Sequence, residues 1–232
     1  MNPTEGVIGE AWKLYKAYWR HLLPISFVVY LAIAIVSALL TVALGWFGAL
    51  VAALISLIGL FWVQGALVTA AEDIRDGRAD LSFQETFQRV RPQLGAIVVA
   101  GLLAGLGVFF GLLLLIVPGL ILMTWWVLII PVVVLERMPA GSAFSRSREL
   151  VRGYGWKVFG VIVLTILLLL AFEIVLSIVL SPLADWLQSF VSNIVSGALT
   201  TPFIALMWTL LYFRLLQAKP APATAPPPEL GT

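Results

Sequence analysis

The sequence predicts an all-α membrane protein with six transmembrane helices, and two observations carry that prediction. Hydrophobic residues make up 61% of the 232 positions and charged residues only 11%, whereas a soluble domain needs about 25% charged residues to cover its surface. The apolar residues also fall in runs of the length that crosses a bilayer, roughly 20 residues each. The six predicted spans are Leu22–Leu44, Trp46–Ala71, Leu94–Val117, Gly119–Leu135, Trp156–Ser181 and Phe190–Gln217.

Prolines shape the predicted connections and kinks. Pro118 and Gly119 predict a tight hairpin between the third and fourth spans. Pro24, Pro131 and Pro202 lie within predicted spans. We expect kinks there, tolerated where neighbouring groups satisfy the backbone carbonyl that each proline leaves without a donor.

The distribution of basic residues predicts the orientation. All 14 fall in four segments that six spans would place on one side of the membrane: Lys13, Lys16, Arg20; Arg75, Arg78, Arg89, Arg91; Arg137, Arg146, Arg148, Arg152, Lys157; and Arg214, Lys219. The connections on the opposite side contain no Lys or Arg. Because Lys and Arg concentrate on the cytoplasmic side, we predict a cytoplasmic (inner) membrane protein with both termini in the cytoplasm.

Three segments on the predicted cytoplasmic side have helical periodicity. Their apolar stripes are Ile8, Trp12, Tyr15, Trp19; then Phe83, Phe87, Val90, Leu94; then Ala143, Ser147, Leu150, Tyr154. Ser82 and Glu85 form a predicted capping box before the second. We expect three amphipathic helices at the inner leaflet. A surface helix followed by two spans would then occur three times, which suggests a threefold repeat, although any amphipathic helix has this spacing.

The residue types exclude several functions. The chain has no cysteine and one histidine, His21, so thiolate chemistry and a multi-histidine metal site within one chain are excluded. No Ser–His–Asp set is available for nucleophilic catalysis. We therefore predict no catalytic residues, no cofactor and no metal. The net charge of +2 is interpreted as orientation, and no nucleic-acid partner is predicted.

The third amphipathic segment carries the candidate contacts to anionic lipid, Arg146, Arg148, Arg152 and Lys157. Arg148 and Arg152 stand one helical turn apart and repel each other, which anionic headgroups beneath them would relieve. The alternative is that these residues only anchor the topology.

The same segment has a predicted architecture. Ser147 falls on the apolar face, where its hydroxyl is expected to bond a backbone carbonyl one turn back. Glu136 ends the fourth span, close enough for an arginine of the helix to fold back onto it. Gly141 and Gly153 are expected to bracket the helix.

Glu173 is the only ionisable residue deep inside a predicted span. Such residues are costly and often functional. Its expected neighbours are Ser177 on its own helix and Ser196, Thr200 or Thr201 on the last span. Two interpretations stay open: a hydrogen-bonded packing contact, or a relay for a proton or substrate.

The stretch from Trp125 onward resembles the integral-membrane domain of the glycerophosphodiester phosphodiesterase membrane-domain family, which also occurs as stand-alone six-span proteins of uncertain function. The matching motif is a tryptophan in a span followed by Pro131, Glu136, Ser147, Gly153 and Trp156. The family's hydrolase is a separate soluble barrel with metal-binding acids and catalytic histidines. These 232 residues hold no such barrel, so the resemblance implies the membrane domain and not the enzyme.

We thus predict a membrane domain over residues 1–218 and a disordered Pro- and Ala-rich cytoplasmic tail over residues 219–232. The leading functional hypothesis is a non-enzymatic membrane protein that organises lipids, mainly anionic ones at the inner leaflet, or an unidentified membrane-protein partner. A transporter or lipid translocator that uses Glu173 is the alternative. An intramembrane enzyme is the third.

Overall fold

The computed structural model describes residues 2–75, 77 and 79–219, and that part of the chain is helical without β-strands. Eight α-helices follow one another: α1 Val7–Ile74, α2 Phe83–Val90, α3 Leu94–Leu114, α4 Ile116–Trp126, α5 Ile129–Leu135, α6 Ala140–Val151, α7 Gly155–Leu180 and α8 Asp185–Ala218. Five helical stretches are long and apolar enough to cross a membrane. The predicted all-α membrane class is confirmed at this level. The predicted tail, apart from Lys219, lies outside the described residues.

Helix α1 is a helical hairpin with a short leading segment. Its backbone departs from helical geometry at Tyr18 (φ −114°, ψ 20°) and at Gly45 (φ 57°, ψ −135°). Gly45 adopts the left-handed region that glycine enters without steric cost, and the chain reverses there. The hydroxyls of Ser37 and Ser56 meet across the two limbs at 3.3 Å. The reversal separates residues 19–44 from residues 46–74, where the sequence separates its first two apolar runs.

The turn between α3 and α4 lies at Leu115 (φ −154°, ψ 124°) and not at Pro118 and Gly119, so that prediction was wrong. Pro118 falls in the first turn of α4, where its missing N–H would have no helical acceptor. Gly119 has a packing role instead: a Cβ on Gly111 would come within 2.9 Å of the Gly119 Cα. The two glycines therefore let α3 and α4 approach closely.

The predicted fourth span is interrupted. Helix α4 ends at Trp126, and α5 begins after Leu128, whose φ of −96° and ψ of 9° are not helical. Pro131 is thus in the first turn of the short helix α5, where it is buried, and it does not kink the interior of a longer helix. The break leaves the carbonyl of Trp125 without a helical donor, which matters for the site described below.

Pro202 lies inside α8, and its neighbours satisfy the carbonyls around it. Proline has no N–H, so the carbonyl of Ala198 has no helical partner. The buried hydroxyl of Ser26 on α1 donates to this carbonyl at 2.7 Å. The Tyr15 hydroxyl donates to the next carbonyl, that of Leu199, at 3.1 Å. The expected compensation at Pro202 is confirmed.

The hydrophobic core surrounds the C-terminal half of α8. Buried α8 residues contact the last turns of α1 together with α5 and α6; among them are Ala205, Leu206, Met207, Leu210, Leu211 and Leu215. The opposite end of the long helices faces outward with apolar side chains, such as Val42 (87% exposed) and Ile116 (70%). A contiguous apolar exterior of this kind suits a lipid environment.

Three short amphipathic helices precede long apolar ones, as expected. They are the leading segment of α1, helix α2 and helix α6. The capping box of α2 is confirmed: the Ser82 hydroxyl accepts from the Glu85 N–H at 3.3 Å, and the Glu85 carboxylate accepts from the Ser82 N–H at 2.9 Å. The hydrogen bonds from Ser82 hold the pKa of Glu85 below its ordinary value. The threefold repeat stays a prediction.

Candidate functional site

The last turns of α8 contact residues in or beside the other three basic segments. Tyr212 bonds Glu136 after α5, Phe213 lies under Arg75 after α1, Arg214 pairs with Glu10 in α1, and Lys219 donates to the carbonyl of Arg152 after α6. The guanidinium carbon of Arg75 is 3.9 Å from the Phe213 ring centroid. Since these segments lie far apart in sequence, α8 gathers the charged residues at one end of the molecule.

Glu136 is the centre of a polar cluster at this end. The Nε of Arg146 donates to its two carboxylate oxygens at 3.0 and 2.9 Å. The Tyr212 hydroxyl donates to Oε1 at 2.8 Å. The side chains of Arg146 and Glu136 are only 27% and 18% exposed. The predicted return of an arginine onto Glu136 is confirmed, and Arg146 is that arginine.

The local backbone brings Glu136 and Arg146 together. Glu136 ends α5, and Arg137 follows in the left-handed region at φ 52°, which turns the chain sharply. Pro139 then starts α6, whose second turn carries Arg146 back toward Glu136. Partial burial disfavours the charged guanidinium, but the hydrogen bonds to Glu136 and Glu149 outweigh it and raise the pKa of Arg146 above its ordinary value. Arg146 therefore stays positively charged and joins α6 to the residue that follows α5.

Ser147 and Arg148 hold Trp125 from two sides. The fully buried Ser147 donates its hydroxyl to the carbonyl of Trp125 at 2.7 Å. The guanidinium carbon of Arg148 lies 4.1 Å from the Trp125 ring centroid, a cation–π contact. The prediction that Ser147 bonds a carbonyl one turn back was wrong. The break after α4 provides an unsatisfied carbonyl 22 residues away, and a buried carbonyl without a partner is costly.

The apolar face of α6 packs against the long helices. Ala143, Leu150 and Val151 are fully buried. The ring of Phe144 meets that of Trp126 edge to face at 5.0 Å. The face that the sequence predicted to be apolar is therefore buried against the rest of the protein.

The four candidate lipid-contacting cations fall into two groups. Arg146 is held by Glu136 and Glu149. Arg148, Arg152 and Lys157, named here the α6 basic patch, are exposed and form no ion pair within the described part of the chain. The hypothesis of a lipid contact therefore continues with the patch alone, because a guanidinium already paired with two carboxylates has little left to offer a headgroup.

The connection from α6 to α7 agrees in part with the prediction. Gly153 has φ 91°, so glycine is required for this turn. Gly141 does not bracket α6 but lies inside its first turn. Trp156, at the start of α7, is 85% exposed. An exposed tryptophan beside basic residues is typical of a membrane interface.

Glu173 lies on an exposed face of α7 and accepts a hydrogen bond from the Ser196 hydroxyl of α8. The Thr200 hydroxyl donates to the carbonyl of Ser196 at 2.7 Å, which places it one turn from the pair. Ser177 makes no hydrogen bond with the residues that the structure describes. Ser196 is thus the one predicted neighbour that bonds Glu173.

Two members of the site were missed from the sequence. Tyr212 stands 76 residues from Glu136, and no local pattern connects them. The Trp125 carbonyl becomes an acceptor only because α4 stops at Trp126, and the apolar run continues through that point without a turn signal. The proline at position 131 was the available hint of irregular backbone nearby.

Among the described residues, no three His, Asp or Glu side chains gather closely enough to hold a metal ion. No protein-family model matches the chain, and neither curated proteins nor solved structures provide a match. The function must therefore be inferred from the geometry of this charged end.

Proposed function

We propose that this chain is a non-enzymatic, six-span protein of the cytoplasmic membrane that organises anionic lipids at the inner leaflet. Both termini and all basic segments face the cytoplasm in this proposal. The observation that carries it is the convergence of the basic segments on the last turns of α8. The protein has one charged end and one apolar end. This arrangement is expected of membrane helices whose basic connections all lie on one side.

The six spans of the proposal are the two limbs of α1, helix α3, the α4–α5 pair, α7 and α8. The reversal at Gly45 divides α1 into two limbs, each of about the length that crosses a bilayer. The α4–α5 pair covers Ile116–Leu135, 20 residues, and its broken backbone is tolerated where protein groups satisfy it. Ser147 supplies such a group for Trp125.

The α6 basic patch is the proposed contact with anionic headgroups. Arg148 lies on α6, Arg152 follows its last residue and Lys157 lies in the first turn of α7. The opposite face of α6 is buried, which fixes Arg148 and the connection to α7 in place. The exposed Trp156 beside Lys157 marks the level of the headgroups. Each juxtamembrane Lys or Arg contributes about 1 kcal/mol of attraction to an anionic surface.

The resemblance to the glycerophosphodiester phosphodiesterase membrane-domain family fits this proposal as a stand-alone membrane domain. The residues of the motif hold the cluster together: Glu136 is the acceptor, Ser147 bonds the Trp125 carbonyl, and Gly153 turns the chain. The motif residues would then fix the positions of α5, α6 and α7 relative to one another at the membrane surface.

Lipid retention through purification tests the proposal. The triple variant Arg148→Gln, Arg152→Gln, Lys157→Gln should bind phosphatidylglycerol more weakly by up to about 100-fold, from about 1 kcal/mol per lost charge. Binding of phosphatidylcholine should stay as in the unaltered protein. Native mass spectrometry of the protein titrated with each lipid measures both quantities.

A charge-conserving control separates charge from fold. The double variant Arg148→Lys, Arg152→Lys keeps every positive charge and should retain phosphatidylglycerol close to the original level. Equal loss of both lipids in the Gln variant would indicate a folding defect. Undiminished phosphatidylglycerol binding in that variant would reduce the patch to an orientation signal and overturn the lipid-organising proposal.

A further inference from the structure

A groove of about 910 Å³ runs between the two limbs of α1 and is closed at its charged end by α2. It is named here the α2 groove. Its long walls are apolar side chains of the limbs, among them Val28, Val36, Ile55 and Ile58. Each of these is between 36% and 49% exposed, so the groove is open along its side. The volume lies within the range of about 300–1,000 Å³ typical of ligand sites.

The end of the groove beneath α2 carries polar groups beside the rings of Phe83 and Phe87. Gln84, Gln88 and Arg91 line it, and their spacing of four and three residues puts them on one face of the helix. All three are exposed and make no side-chain hydrogen bond or ion pair within the described residues. One cation and two amides therefore converge on one end of an otherwise apolar channel, with their hydrogen-bonding capacity unused.

Helix α2 is fixed firmly enough to hold these groups in place. The capping box of Ser82 and Glu85 secures its start. Val90 is fully buried against Gly65 of α1, where a Cβ would come within 2.6 Å of the valine methyl. The ring of Phe87 meets that of Trp62 edge to face at 5.6 Å. The face of α2 that lines the groove carries Gln84, Gln88 and Arg91 together with Phe83 and Phe87.

We propose that the α2 groove binds one anionic glycerophospholipid of the inner leaflet, with its phosphate on Arg91 and an acyl chain between the limbs of α1. Arg91 supplies the charge complement and planar donors suited to a phosphate. Gln84 and Gln88 can donate to the phosphate or to the glycerol ester oxygens. The apolar walls provide the surface for a chain. This inference rests on the proposed membrane insertion but not on the α6 basic patch.

Helix α2 provides its own matched pair of variants. Arg91→Gln removes the cation that lines the groove, whereas Arg89→Gln removes an exposed cation of the same helix that does not line it. Native mass spectrometry of the full chain titrated with phosphatidylglycerol should show affinity lowered about fivefold by Arg91→Gln, from the loss of one juxtamembrane charge. The Arg89→Gln variant should stay close to the original. Arg89→Gln should also leave phosphatidylcholine binding as before, whereas Arg91→Gln should weaken it, because phosphatidylcholine carries the same phosphate.

A second pair tests the acyl-chain half of the groove. Ala32 lines the groove and is exposed, so Ala32→Phe fills it without displacing buried groups. This variant should lose more than about tenfold in affinity for both lipids, because each excluded methylene forfeits about 0.8 kcal/mol. Ala171 is exposed on α7 away from the groove, and Ala171→Phe should leave binding unchanged.

Two results would overturn the inference: equal effects of Arg91→Gln and Arg89→Gln, or full lipid binding by Ala32→Phe. The outcome is separable from that of the α6 basic patch. Loss in the α6 triple variant with none in Arg91→Gln and Ala32→Phe would reject the groove alone. The opposite pattern would reject the patch and keep the groove.

Discussion

Arg146 and Glu136 form a salt bridge across the α5–α6 turn. The arginine Nε lies 3.0 and 2.9 Å from the two carboxylate oxygens of Glu136. Tyr212 adds a third bond from α8 at 2.8 Å. The consecutive helices α5 and α6 thus meet the distant helix α8 at one carboxylate. Because the two charged side chains are partly exposed, solvent screening reduces the strength of the pair below that of a fully buried one.

Replacing the carboxylate should loosen this junction. We expect Glu136→Gln to lower the free energy of unfolding by about 1–2 kcal/mol, since it leaves Arg146 without its counter-charge. Chemical denaturation in micelles measures the change. Glu149→Gln removes the more exposed partner of Arg146, 63% exposed, and should cost less than about 0.5 kcal/mol. Equal stability of Glu136→Gln and the unaltered protein would contradict a structural role for the cluster.

Ser147→Ala should destabilise the protein by about 1–3 kcal/mol, because the Trp125 carbonyl then has no donor in a buried position. The neighbouring exposed residue offers a matched control: Ser145→Ala removes a hydroxyl from the other side of α6 and should change stability by less than about 0.5 kcal/mol. Thermal unfolding of the two variants in the same detergent measures the difference in their stability. A cost for Ser147→Ala no larger than that for Ser145→Ala would show that the hydrogen bond to Trp125 contributes nothing.

Ser26 and Pro202 should be energetically coupled. Ser26→Ala leaves the Ala198 carbonyl unsatisfied and should cost about 1–3 kcal/mol. In a Pro202→Ala background α8 regains the missing N–H, so the same serine substitution should cost less than about 1 kcal/mol. A double-mutant cycle of unfolding free energies measures the difference. Additive effects would mean that the serine does not serve the carbonyl freed by the proline.

Glu173→Gln should fold and retain lipid like the original protein. The glutamine oxygen can still accept from Ser196, and the loss of a titratable proton should not matter to a packing contact. Thermal stability and lipid retention in native mass spectrometry measure this outcome. A stable variant that abolishes a pH-driven flux in proteoliposomes would instead support the transporter alternative.

The sequence predicts the parts of this molecule that depend on local composition. Apolar length marks the long helices, and the capping box at Ser82 marks the start of α2, because both signals act within a few residues. The contact of Arg146 with Glu136 was also within reach, since a single turn separates their helices.

Other features depend on partners that no local pattern specifies. The turn falls at Leu115 rather than at Pro118 because proline also suits a helix start. Tyr212 reaches Glu136, and Ser26 reaches Ala198, only through the packing of α8 against the rest of the chain. Proline at 202 signals that some donor is needed, but it does not say which residue provides it.

The arrangement of the basic segments on one side of the membrane is the central claim, and cysteine accessibility tests it most directly. The chain contains no cysteine, so single cysteines can be placed at the exposed positions Gln84, Ser145 and Asp185. An impermeant thiol reagent applied to intact cells should label Asp185→Cys and leave Gln84→Cys and Ser145→Cys unlabelled until the cells are permeabilised. Labelling of Gln84→Cys or Ser145→Cys from outside, with Asp185→Cys protected, would contradict the six-span arrangement with a cytoplasmic basic face.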